Sequence, residues 1–501
     1  MALFNLSRRE GYAKGKVSMT IYYVNSATGS NSNAGTAENS AFATLSKVES
    51  LRLQPGDTVL LAAGSVFNEQ FDLKYSGSTA APITISSYGV GEAPIIHSSA
   101  GNGIASQNTS NITIENIKIA DTAGAAIWGS NVSNWTVRNV DIEHTGLSGS
   151  GSVTFRTGQN ITVENSRISD VNSDGMWIEK INGVHLINNT VTNSHGKTAD
   201  AIQLDHSSNV VISGNYLDQT NAASPKGVLV LGAVQNAVIE NNTLVGGGFG
   251  ISAQAGTNID IHGNDISGYG GYSWSYAIGL GDEGDTRDYA ISGNYIHDGI
   301  WGVSISAAGT PAYIRDGIDI YGNTFDDLSQ AALKVDRPAS GSFHDNFIGA
   351  DVTPTSISPA IVATFPVSNN QPLDETQVEL AHFDNSLAAG ATHTIADPMV
   401  AAAHESAKML PGKADGDLND HVDGNISRDA FLFRHFASDS SDTNSLSSTY
   451  GDDGGPNSTF HSSGPDAGVS EPSHHQIADA VPHQIDVDTP NVTSHWDDLL
   501  L

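Results

Sequence analysis

The chain contains no cysteine. That excludes a disulfide framework and any thiolate-held metal. It is also poor in cations: 22 Lys and Arg stand against 55 Asp and Glu, for a formal net charge of −33. So acidic a chain repels phosphate, so neither nucleic acid nor an anionic membrane is an expected partner. No run of 18 or more apolar residues occurs, so no membrane insertion is expected. The first residues, MALFNLSRREGYAKGKVSMTIYYV, lack the continuous apolar segment and small-residue cleavage site of a signal peptide. None is expected there.

What is abundant is Gly, with 52 residues, together with Asn, Ser and Thr. They fall into a repeat. Residues 111–122 read NITIENIKIADT, and similar runs begin at 134, 160, 183, 209, 236, 258, 288 and 317. Each run alternates apolar and polar residues, the pattern of a strand with one buried face. A second short strand precedes most of them, as in GSVTFRT, DGMWIEK, DAIQLDH and KGVLVLG. No helical segment lies between, which excludes helical solenoids, and the steps are too short for propeller blades. One coil of a parallel β-helix fits. Val163, Leu186, Ile212 and Ile239 are then expected in one inward column. The Asn and Gly at strand ends suit turns that need left-handed backbone. AFATLSKVESL (41–51) reads as a short amphipathic helix capping the first coil, followed by strands at 57–64 and 82–89.

The stretch IYYVNSATGSNSNAGTAENSAFATL, then PGDTVLLAAGSVFNEQ and APITISSYG, resembles the N-terminal part of bacterial right-handed β-helix polysaccharide lyases, the pectate-lyase-like superfamily. With the coils, the resemblance covers about residues 20–360. It implies an all-β, single-stranded right-handed parallel β-helix over 21–360. An N-terminal extension (1–20) would precede it, and a cap or irregular region (361–436) would follow. The substrate is left open, because this fold carries many activities.

Chemistry is expected on one outward ladder. When coils are aligned by their inward residues, Asp174 falls on Asp200, and Lys226 is expected next in that column. Arg156, Glu179 and Asp205 share a second column, with Trp177 above Gln203 between the two. Carboxylates one rung apart repel unless a cation bridges them, a proton is shared, or a neighbouring base neutralises them. Resemblance to the calcium-dependent lyases implies β-elimination on an acidic, uronate-containing polysaccharide. Calcium would be held by Asp174, Glu179, Asp200 and Asp205, and Lys226 or Arg156 would remove the C5 proton. A hydrolase resembling the polygalacturonases is the alternative. NSDG (172–175) and Asp200 match that family's acids, but Lys226 stands where it has His, and its R-I-K motif is absent. A uronan epimerase and a non-catalytic glycan-binding solenoid stay open. Trp177, Gln203, His206, Trp274 and Tyr276 are candidate sugar contacts, the last two within an aromatic group that includes Tyr269, Tyr272 and Trp301.

Residues 370–501 hold 22 acids against 4 bases. The stretch from 437 is polar, and disorder is expected for it. It resembles the uncleaved C-terminal signals of type I secreted bacterial proteins, which implies an extracellular protein. A monomer is expected.

Overall fold

The computed structural model describes residues 19–374, except 147–150, 197, 224–225, 282–283 and 307–312. The expected N-terminal extension up to residue 18 lies outside the described residues. So do the region from 375 onward and the acidic tail with its secretion signal.

Alternating apolar residues can bury one face only if each strand finds neighbours above and below. The chain achieves this by coiling. Three short strands per coil stack on the matching strands of the next coil, all in parallel register, and one of the resulting ladders contains 13 strands. Val163, Leu186, Ile212 and Ile239 are direct partners in successive rungs, as the periodicity predicts. All four are fully buried. Each such side chain contributes about 1.5–3 kcal/mol of burial energy. The stacking runs on to Pro372.

A second column holds the coils in register. Asn189, Asn215, Asn242, Asn264, Asn294, Asn323, Asn346 and Asn370 stack one per rung. Each side-chain amide donates to the next residue's Oδ1 at 2.9–3.0 Å. The backbone N–H of each also reaches that oxygen, for example Asn264 to Asn294 at 3.0 Å. These are the Asn residues that end runs such as SGNYL and HGNDI.

The cap is shorter than 41–51. The helix is Leu45–Glu49, with the Thr44 hydroxyl accepting from Lys47 N–H at 3.1 Å. Leu45 and Val48 plug the open coil. The Glu69 carboxylate takes the free Leu45 and Ser46 N–H groups at 2.8 and 3.0 Å, which suits the positive end of a helix. The expected strands are found as Thr58–Ala62 and Ile83–Tyr88.

One feature departs from expectation. In three coils the two strands anticipated as separate are continuous: Ile127–Arg138, Val153–Glu164 and Met176–Ile187. Each bends between two positive-φ residues three apart: Asn131 and Asn134, Thr157 and Asn160, Lys180 and Gly183. The first of these positions continues to His206 and Ala233. The corner is turned without breaking the ladder.

Candidate active site

The ladder that begins each bent unit presents three outward columns. In the first, Asp174 lies beside Asp200 and Asp200 beside Gly227. Phe249, Tyr276 and Trp301 continue it along the axis. In the second, Thr154, Trp177, Gln203, Val230 and Ser252 follow one another. In the third, Arg156, Glu179, Asp205 and Gly232 do so. The Asp174 over Asp200, Trp177 over Gln203 and Glu179 over Asp205 pairings are those expected from sequence.

The two acidic pairs have different chemistry. Glu179 is held by Arg156 at 2.8 Å and by Lys180 at 2.5 Å. Burial pushes its carboxyl up, but those hydrogen bonds and charges prevail and hold it below the usual value. The Arg156 guanidinium also lies 4.5 Å from the Trp177 ring centre, a cation–π contact. Asp205 accepts from Trp177 Nε1 at 3.2 Å and from Gln203 Nε2 at 2.9 Å. Burial still leaves it raised. His206 is exposed in the bend that follows. Arg156, Trp177, Glu179, Gln203 and Asp205 thus form one knit patch.

Asp174 and Asp200 are 7 % and 2 % exposed. Two backbone N–H groups serve this pair, beside the charge of Lys226. Asp200 N–H donates to Asp174 Oδ1 at 2.9 Å, and Gly227 N–H donates to Asp200 Oδ1 at 2.8 Å. Burial pushes Asp174 up to about 7, with the charge of Asp205 adding and the Asp200 N–H and Lys226 charge opposing. Burial and then the charge of Asp174 push Asp200 well above the ordinary value, against the pull of Lys226 and Gly227 N–H. Of the three ways to relieve stacked carboxylates, a shared proton fits this pair and neutralising bases fit Glu179.

Two expectations need correction. Lys226 does not continue the acid column. Asp200 pairs with Gly227, and Lys226 N–H bonds Ala199 O at 3.2 Å, one residue out of register. The coil step there is 27 residues, not 26, because the preceding loop is longer. Its charge nevertheless reaches both acids. Nor do Asp174, Glu179, Asp200 and Asp205 form one calcium site. Asp174 and Glu179 are five residues of extended chain apart, roughly 16 Å, whereas calcium oxygens sit at about 2.3–2.6 Å. Among the described residues no group of three or more His, Cys, Asp or Glu side chains could hold a metal ion.

The aromatic group lies closer to the acids than expected. Tyr272 and Trp274 stack at 4.7 Å, and Phe249 stacks on Tyr276 at 5.4 Å. Trp274 touches both inner rings, at 6.4 and 6.2 Å. Tyr269 is not part of it: it is buried, with its hydroxyl on Trp301 O at 3.0 Å. Phe249 was missed by the sequence reading. Extending the acid column by one more coil would have reached it.

The fold and the columns define a parallel β-solenoid with a two-carboxyl site beside an aromatic wall. Residues 30–215 match the family described as "Right handed beta helix region", and residues 150–340 match "Periplasmic copper-binding protein (NosD)". The residues present do not suit copper any better than calcium, since no such donor group converges among those described. A lacto-N-biosidase of Bifidobacterium longum is 47 % identical over 91 residues, which is 17 % of this chain and 6 % of that protein. The chain therefore matches only a small part of that relative's length. Among solved structures, the lacto-N-biosidase of Eubacterium ramulus has a TM-score of 0.47 at 15 % identity, covering 71 % of this chain and 68 % of that one. The pectate lyase Pel9A gives 0.39 at 17 %, over 64 % and 78 %. An alginate lyase of a Paenibacillus species gives 0.33 at 14 %, over 70 % and 98 %. These similar proteins are carbohydrate-active enzymes, hydrolases and lyases both. Among the described residues no helix is long and apolar enough to cross a membrane.

Proposed function

We propose that the protein is a secreted, monomeric glycan-cleaving enzyme that hydrolyses glycosidic bonds with Asp174 and Asp200. The observation that supports this is the pair itself: two buried carboxyls on adjacent rungs, Asp174 held up to about 7 and Asp200 raised well above the ordinary carboxylate value. Such neighbours do not ionise together at neutral pH. Asp200, the more deeply buried, keeps its proton and donates it to the glycosidic oxygen. In this assignment Asp174 is the ionised partner: it attacks the anomeric carbon as the leaving oxygen takes the Asp200 proton, and water then releases the sugar from Asp174.

β-Elimination is the second reading. Its support is Lys226, whose charge acts on both acids and which is the base that reaction needs.

The test is incubation with a panel of neutral and uronate-containing polysaccharides, with chelator present, reading reducing and unsaturated ends separately. Hydrolysis yields new reducing ends without unsaturation, and Asp200→Asn lowers the rate by about 10²–10⁴-fold. Unsaturated ends that disappear in Lys226→Ala favour elimination. Full activity in Asp200→Asn refutes the site, and no cleavage of any polymer favours a binding solenoid.

A further inference from the structure

The aromatic group stands on the same outward column as the acids, and its packing shows how near it comes. Gly227 separates Asp200 from Phe249 in the column. A Cβ built on Gly227 would lie 2.0 Å from a Phe249 ring carbon. The ring therefore leans back over Gly227, toward Asp200, by a full rung. The Tyr276 ring covers Gly279 in the same way, 2.3 Å from a Cβ built there. Its hydroxyl meets Ser252 Oγ at 3.2 Å. Phe249, itself buried, and Tyr276 thus back the group. Outside them stand Tyr272 and Trp274, 44 % and 42 % exposed and nearly parallel at 9°. Trp274 joins this exposed pair to the Phe249 ring that covers Gly227, the neighbour of Asp200 in the column.

We infer that Phe249, Tyr272, Trp274 and Tyr276 form a subsite for an uncharged pyranose, next to the bond that Asp174 and Asp200 act on. This rests on the reading of the acid pair as a glycan-cleaving site. A pyranose has one face of C–H groups, which packs on the electron-rich face of an aromatic ring. Its hydroxyls stay free for the polar edge of the site. One rung of the column is about one sugar unit long, so a chain lying along the axis places adjoining units on the shelf and at the acids.

Charge selects the uncharged sugar. The four rings carry no formal charge. The cations on this face already have partners. Arg156 is held by Glu179. Lys334 sits 3.4 Å from Asp336 and 5.0 Å from the Trp301 ring centre. The charge of Lys226 acts on Asp174 and Asp200. Among the described residues a uronate carboxylate at the shelf would find no uncommitted counter-charge. The polymer expected from sequence was acidic; at this subsite the chemistry is neutral.

The experiment uses the full chain carrying Asp200→Asn, so that binding is read without turnover. Tryptophan fluorescence and calorimetry follow titration with cello-, chito- and β-galacto-tetraoses, and with tetragalacturonate. At least one neutral tetraose is expected to bind, and Trp274→Ala to weaken it about tenfold. Tyr321→Ala, which removes an exposed ring outside the shelf, is expected to bind as the parent does. Tetragalacturonate is expected to bind at least tenfold more weakly. Tighter binding of tetragalacturonate, no binding of any neutral tetraose, or equal affinity in Trp274→Ala overturns the inference. The two readings fail separately. If Asp200→Asn is fully active while Trp274→Ala loses affinity, the acid assignment is wrong and the shelf stands. If Asp200→Asn is inactive and Trp274→Ala keeps its affinity, the reverse holds.

Discussion

Replacing Asp174 by Asn should make the protein more stable at alkaline pH and no more stable at acid pH. Asn keeps an oxygen that accepts the Asp200 N–H, the one hydrogen bond Asp174 Oδ1 makes with that rung. It removes only the ability to ionise in a buried place. The folded-state pKa of Asp174 is raised from 3.8 to about 7, chiefly by burial. Between those values the folded protein binds more protons than the unfolded chain. Its stability is therefore highest below the unfolded value and falls as pH rises toward the folded one. At about 1.4 kcal/mol per pH unit, the loss is about 4 kcal/mol once pH exceeds 7. Asp174→Asn does not suffer that loss. Urea unfolding of both proteins from pH 4 to 9 measures the difference; Asp200, relieved of the Asp174 charge, is raised less in the variant and adds to its gain at high pH. The curves should nearly meet at pH 4 and separate by at least about 4 kcal/mol above pH 7. Parallel curves across that range would refute the raised pKa, and with it the shared-proton reading of the pair. The variant should also lose activity, since a group destabilised in the folded state is retained for function.

Two other outcomes follow. Activity should rise with pH through about 7, as Asp174 ionises; a rate profile flat across pH 5–8 would contradict this. Asn264→Ala leaves both the Asn242 N–H and its amide without their acceptor and removes the donor to Ile239 O. A loss of at least about 3 kcal/mol is expected in chemical denaturation, since each stranded buried group costs about 1–3 kcal/mol; a loss under half of that would mean water replaces the ladder.

The coil was legible because its cause is local and repeated. Alternation along NITVENSRIS or NVVISGNYL specifies which side chains turn inward, and the spacing between runs specifies which rungs meet. The pairings of Asp174 with Asp200 and Glu179 with Asp205 followed from that alone. What failed was register across a loop. One extra residue before Gly227 moved Lys226 out of the acid column, and nothing in the sequence weights that residue against the ones around it. Distance along a strand was also underused: five residues separate Asp174 from Glu179, too far for one ion, although both lie on the same rung.

The sequence by itself therefore determined the architecture, the inward columns and the stacking of the acids, because each depends only on period and residue type; it placed Asn in left-handed turns, and the buried Asn ladder emerged only in the structure. The tertiary structure decided what those acids are. Glu179 sits among cations and is held below its usual value, whereas Asp174 and Asp200 are buried, with backbone N–H groups and the charge of Lys226 too little to offset that burial. Solvation is a property of everything packed around a group, and the Phe249 ring that leans over Gly227 comes from the next coil.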